Sequence, residues 1–236
     1  MHQIDRRDAD VTARPYEAIG EPTERAAFIT RTYAHLLGAV TAFVAIEWLL
    51  FSSGLAWTIA RAMLSVSWLV VLGGFVLVSW IASRVAHTVE SPAAQYAALA
   101  GFVVAEALIF VPLLAIAFSQ VPGAVQSAAT VTALGFLALT VVAFLSRKDF
   151  SFLGASLRWV GLMALVAIVA AVLFGFELGT WFSVGMIAFA GIAVLYDTSN
   201  VIHQYPTDRH VAAALQLFAS VALMLWYVRG LFQSRG

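Results

Sequence analysis

The chain has no cysteine, which excludes disulfides, zinc–thiolate sites and thiol nucleophiles together. It has little charge: 13 basic and 13 acidic side chains in 236 residues, cancelling to a formal net of zero. A soluble domain carries roughly 25% charged residues, more than twice the 11% found here, so these side chains cannot clad a water-facing surface. A neutral balance offers nothing to a polyanion, and nucleic acid is not an expected partner. Lysine is almost missing. The one example, Lys148, stands in a polar stretch, so the last helix lacks the lysine that a retinal Schiff base needs. The motifs of soluble catalysis are missing too. There is no His-Glu-x-x-His pair, no Gly-x-Ser-x-Gly elbow and no phosphate-binding glycine loop. The N-terminal acids lack the glycine and closing glutamate of an EF-hand loop. His35, His87, His203 and His210 fall at expected helix ends or links, none paired at ligand spacing. The expectation is a protein that is not an enzyme and holds no cofactor.

What the chain does have is apolar length. Hydrophobic residues make up 62% of it, and the mean hydropathy is +0.91. A membrane span takes about 20 mainly apolar residues, because the hydrocarbon core is about 30 Å thick and a helix rises about 1.5 Å per residue. The runs show no polar alternation, which argues against strands and a barrel. Seven helical spans are expected, near 27–51, 65–83, 95–118, 125–145, 156–174, 181–203 and 211–231. The ends of the second are the least secure, since the stretch before it, 52–64, contains Arg61. Links are short and carry turn residues: Pro122-Gly123, Gly175 with Gly179, and Pro206. No repeat points to an inverted-repeat transporter. The fold class is therefore an all-α integral membrane bundle in one domain, residues 27–232.

Residues 1–26 read as a disordered cytoplasmic tail. Met1 to Arg25 holds six acidic and four basic side chains, two prolines and no apolar core of a signal peptide. With the N-terminus in the cytoplasm, ten basic residues lie inside (Arg6, Arg7, Arg14, Arg25, Arg31, Arg84, Arg147, Lys148, Arg158 and Arg209). Three lie outside, Arg61, Arg229 and Arg235, so the basic-inside bias predicts N-terminus in and C-terminus out. Most of the seven tryptophans fall toward span ends, as an interfacial belt requires.

Polar groups within the spans carry the functional information, because an ionised side chain there costs several kcal/mol unless paired or wetted. Asp197 lies late in the sixth span, within Tyr196-Asp197-Thr198-Ser199-Asn200-Val201-Ile202-His203. Asp197, Asn200 and Gln204 share one helical face. Gln216, Ser220 and Tyr227 form a stripe on the seventh span. Two polar stripes on consecutive helices are expected to face each other, with Asp197 against Ser220. The alternative is that Asp197 is solvated near the cytoplasmic end. Glu106 lies deep in the third span without a partner nearby in sequence, as an ion-path group or as one end of a structural hydrogen bond. Glu47 stands near the outer end of the first span, and the simpler reading is that it reaches the interface.

Ser146-Arg147-Lys148-Asp149-Phe150-Ser151-Phe152-Leu153-Gly154, followed across the fifth span by Tyr196-Asp197-Thr198-Ser199-Asn200-Val201-Ile202-His203, resembles the Bax-inhibitor family of seven-helix membrane proteins. The likeness runs from about Ala27 to Phe232, with Thr32-Tyr33, Glu106 and Pro112 at further similar positions, and is nearest the bacterial YccA-like branch. It implies a multi-pass protein of the bacterial inner membrane with one of two activities. Members of the YccA-like branch restrain the membrane-bound AAA protease, a role in membrane-protein quality control. Others are pH-sensitive calcium leaks in which two aspartates on the last two helices share a proton. Asp197 is similar to the first aspartate, and Ser220 stands where the second would be. Arg84 is the residue similar to an arginine that pairs with the first. The expected partners are lipid, that protease and calcium, with the first activity preferred because of Ser220. The candidate ion-path or pH-sensing residues are Asp197, Glu106, Ser220, Asn200 and Arg84.

Overall fold

The computed structural model describes residues 22–120, 123–146 and 148–233. The expected tail as far as Glu21, and Pro122, Arg147 and Arg235, lie outside the described residues. Among the described residues the chain forms eight helices and no strand: α1 (Pro22–Ser52), α2 (Leu55–Leu64), α3 (Trp68–Thr88), α4 (Pro92–Gln120), α5 (Ala124–Ser146), α6 (Leu153–Phe174), α7 (Gly179–His203) and α8 (His210–Gln233). All except α2 are long and apolar enough to cross a membrane. Each satisfies its own backbone polar groups along its length, the condition for standing in hydrocarbon.

Boundaries differ from expectation in three places, the simplest being the second span, which runs to Thr88 rather than ending near 83. Helix α1 begins at Pro22, so residues 22–26, expected in the tail, are helical. Proline suits such a start, since its missing N–H falls among groups that have no partner in a first turn. The stretch 52–64 is not a loop. Gly54 at φ 80° breaks the chain, and Leu55–Leu64 then folds as α2, whose Ala56 and Ala60 pack on Val111 and Ala115 of α4. Ten residues are too few to span a bilayer, so hydropathy over a span-length window passes over them.

Helices α4 and α8 are the most buried spans and form the axis of the bundle. Lipid tails are as apolar as leucine, so close backbone approach over small residues binds such helices rather than hydrophobicity. Ala212, Ala213 and Ala214 of α8 are fully buried accordingly. Around them Phe43 meets Phe110 edge-on at 5.2 Å and Phe218 at 6.1 Å, and Phe102 meets Phe218 at 6.0 Å. Helix α6 is the exception, touching only α3 and α7. It is a wall standing off from the bundle.

Candidate functional site

Helix α7 carries Asp197, Thr198 and Ser199 into the protein, all three buried. Asp197 accepts a hydrogen bond from the Ser220 hydroxyl of α8 at 2.5 Å, the contact expected from the two polar stripes. Asp197 is 2% exposed, so it is not solvated at the end of its helix.

The space between α6 and the rest of the bundle is a cavity of about 900 Å³, walled by α3, α4, α6, α7 and α8. One end is bounded by Trp68, Leu178, Phe182 and Tyr227, the other by His87, Gly154, Arg158 and Tyr205. Along α7 that is roughly 30 Å at 1.5 Å per residue, close to the thickness of a hydrocarbon core. Asp197, Glu106, Ser220 and Asn200 all line it, as do Gln216 and Tyr227 of the α8 stripe. The remaining walls are largely aliphatic and aromatic. Two carboxyl groups facing a hollow within apolar walls can attract a cation and offer it oxygen ligands.

Arg84 is the candidate that does not belong. It is exposed on α3, and the pairing with Asp197 is not made. Among the described residues the one ion pair is Arg209 with Asp208, at 3.4 Å on the surface. Helical geometry gives the reason. Ala82 and Ala86 mark the buried face of α3, and Arg84, two residues from each, is turned about 200° away. Gln204 also leaves the stripe it shares with Asp197, because it is exposed beyond the end of α7.

The two motif segments meet in space. Asp149, before α6, accepts from the Ser151 N–H at 2.9 Å, the Ser199 hydroxyl at 3.3 Å and the Gln204 amide at 2.9 Å. The Ser199 oxygen in turn accepts the Phe150 N–H at 2.8 Å. These bonds favour the ionised form. The Ser151 N–H first, then the Gln204 amide and the nearby His203, hold the Asp149 carboxyl below the usual carboxylate range. One turn on, Gly154 lies directly against the Tyr196 ring.

Three further features have no sequence signal, since only the folded bundle defines them. Glu47 does not reach the interface. It is 6% exposed on the inward stripe of α1, and neither carboxyl oxygen has a hydrogen-bond partner. Arg229, expected outside the membrane, is buried within α8 and donates to the Leu113 carbonyl of α4 at 2.6 Å. Arg25 donates to the Tyr205 carbonyl at 2.7 Å and that of Val201 at 3.4 Å, capping the C-terminal end of α7 with a cation, where the helix dipole favours one.

These features define a multi-pass helical membrane protein with an internal cavity that carries buried carboxyls. The sequence matches the family described as Inhibitor of apoptosis-promoting Bax1 over residues 25–236, nearly its whole length, and the chain belongs to that Bax-inhibitor family. No curated protein and no solved structure gives a significant match.

Proposed function

We propose that the cavity is a path for cations, calcium first among them, and that Asp197 and Glu106 are its ion-binding groups. The observation that carries this reading is one hollow, nearly as long as a bilayer core is thick, lined by both acids. An acid within a span is costly and is a functional candidate by default, and two on one hollow reinforce each other. The conduction is non-enzymatic, pH-sensitive, and set in a bacterial inner membrane with the N-terminus in the cytoplasm.

A second reading is restraint of a membrane-bound AAA protease, as in the YccA-like branch. Ser220 favours it, since a serine in place of a second aspartate removes the shared-proton pair of the calcium leaks. The two readings separate in proteoliposomes loaded with a calcium indicator. Conduction predicts calcium entry that falls several-fold in Asp197→Asn and in Glu106→Gln. Vesicles of the parent chain that pass no calcium overturn it and leave the protease, tested by following degradation of another membrane substrate with and without this protein.

A further inference from the structure

Tyr205, in the link between α7 and α8, lies where the cavity ends. Its ring stacks on Phe28 at 6.4 Å, and its backbone carbonyl is held by Arg25. Its hydroxyl meets Nε2 of His87, on α3, at 3.0 Å. Both residues line the cavity, yet the phenol is half-buried while the imidazole is exposed. The bond between them therefore ties α3 to the α7–α8 link at the boundary between cavity and water.

The direction of that bond is fixed. Nδ1 of His87 lies 2.7 Å from the Ser83 carbonyl, an oxygen that can only accept, so Nδ1 carries the proton. In the neutral ring Nε2 is then an acceptor, and the Tyr205 hydroxyl donates to it. Burial first, then the Asp197 and Tyr196 charges, push the Tyr205 phenol up, so the phenol keeps its proton to donate. Protonating His87 turns Nε2 into a donor, and the tyrosine can no longer donate there.

The imidazolium would also stand among cations. Arg84 lies one turn back on its own helix, Arg158 lines the cavity from α6, Arg25 holds the Tyr205 carbonyl, and Arg209 donates to the Val89 carbonyl. Among the described residues the acids on this side are Asp197 from α7, Asp149 before α6, which Ser199 and Gln204 hold, Glu24 in the first turn of α1, Glu90 beyond the end of α3 and the Arg209-paired Asp208. An exposed ring in that company turns to water.

We propose that His87 and Tyr205 form a proton-released latch over this end of the cavity, closed while His87 is neutral. The inference rests on reading the cavity as a path, but it concerns access to the cavity and can be tested without conduction. Because the chain has no cysteine, a single Ser79→Cys substitution places one thiol in the cavity wall, on α3 above His87. Its modification by a membrane-impermeant thiol reagent, added on the side of the α7–α8 link, is followed in vesicles of known orientation. Rates are normalised at each pH to the same thiol in unfolded chain.

In the parent the rate should rise about fivefold, the equilibrium change carried by one hydrogen bond of ordinary net strength, as pH falls from about 8 to about 5, where imidazoles titrate. His87→Gln keeps an acceptor that does not titrate, so its rate should stay low throughout. Tyr205→Phe keeps the ring and loses the donor, so its rate should stay high throughout. A flat parent profile, a response that survives in His87→Gln, or a parent-like profile in Tyr205→Phe overturns the latch. If the thiol behaves as expected and the same vesicles pass no calcium, the latch stands and conduction falls.

Discussion

Asp149 shows how much one exposed side chain can organise. Its carboxylate gathers donors from the turn before α6 and from the end of α7, joining two segments that lie 50 residues apart in sequence. Replacing it by alanine should lower local stability by about 1 kcal/mol, the net worth of such bonds after solvent screening. The measurable consequence is faster amide exchange in the first turns of α6. Because its carboxyl is held below the ordinary range, this contribution is complete above about pH 4 and fades as pH falls through the lower folded value. The difference in melting temperature between parent and Asp149→Ala should therefore be constant at neutral pH and close in acid. An equal difference at both would mean that the charge plays no part. At this scale the sequence was informative where helical period decides. Asp197 and Ser220 could be matched because each lies on a polar stripe of its own helix. The facing of Arg84 is not legible in the same way, because it depends on which side of α3 is buried, and that side is set by neighbours distant in sequence. The burial of Glu47 and Arg229 escapes the sequence for the same reason.

Helix α6 is the clearest case of an element whose existence was legible and whose packing was not. Beyond Ser156 and Arg158 near its start, its 22 residues are apolar, so a span is evident. That it stands away from the core and makes the cavity depends on two close approaches to α7. A Cβ on Gly154 would lie 2.7 Å from the Tyr196 hydroxyl, and one on Gly161 would lie 3.3 Å from the Phe189 ring. Each glycine is seven residues from the next, as are the aromatics, so two turns of one helix run antiparallel to two turns of the other in register. Gly154→Ala should cost about 1–3 kcal/mol, the range for overpacking a filled contact, or swing α6 outward. Thermal unfolding in detergent measures the first, and the thiol probe at Ser79→Cys the second. Trimming the ring in the double variant Gly154→Ala, Tyr196→Leu should recover most of the loss. A single variant as stable and as closed as the parent would show that the tyrosine yields freely. The short helix α2 marks the opposite limit, being an element below the length at which hydropathy registers a span.

For the whole molecule, one end of the bundle gathers the polar contacts. The starts of α1, α4, α6 and α8 and the ends of α3, α5 and α7 meet there, through Arg25 on Tyr205, His35 on Tyr96, Arg209 on Val89 and Asp149 on Ser199. Successive spans therefore alternate in direction, and an odd number of them puts Pro22 and Phe232 at opposite ends. Of the described basic side chains, Arg25, Arg31, Arg84, Lys148, Arg158 and Arg209 lie at the polar end, with Arg61 and the buried Arg229 toward the other. The interior position of Arg229 weakens the count on the sparse side and so strengthens the bias, which predicts a cytoplasmic polar end. The latch of His87 and Tyr205 would then face the cytoplasm and the aromatic end of the cavity the outside. Reporters active only beyond the membrane should be active when fused after Gly236 and silent when inserted beside Asp149. A reporter near Gly54, in the turn between α1 and α2, should also be active, because α2 lies with Arg61 at the end opposite the polar one. Activity beside Asp149 would invert the bundle, and with it the side from which a proton reaches His87. A silent fusion after Gly236 together with an active one at Gly54 would mean that α8, despite its length, does not complete a crossing.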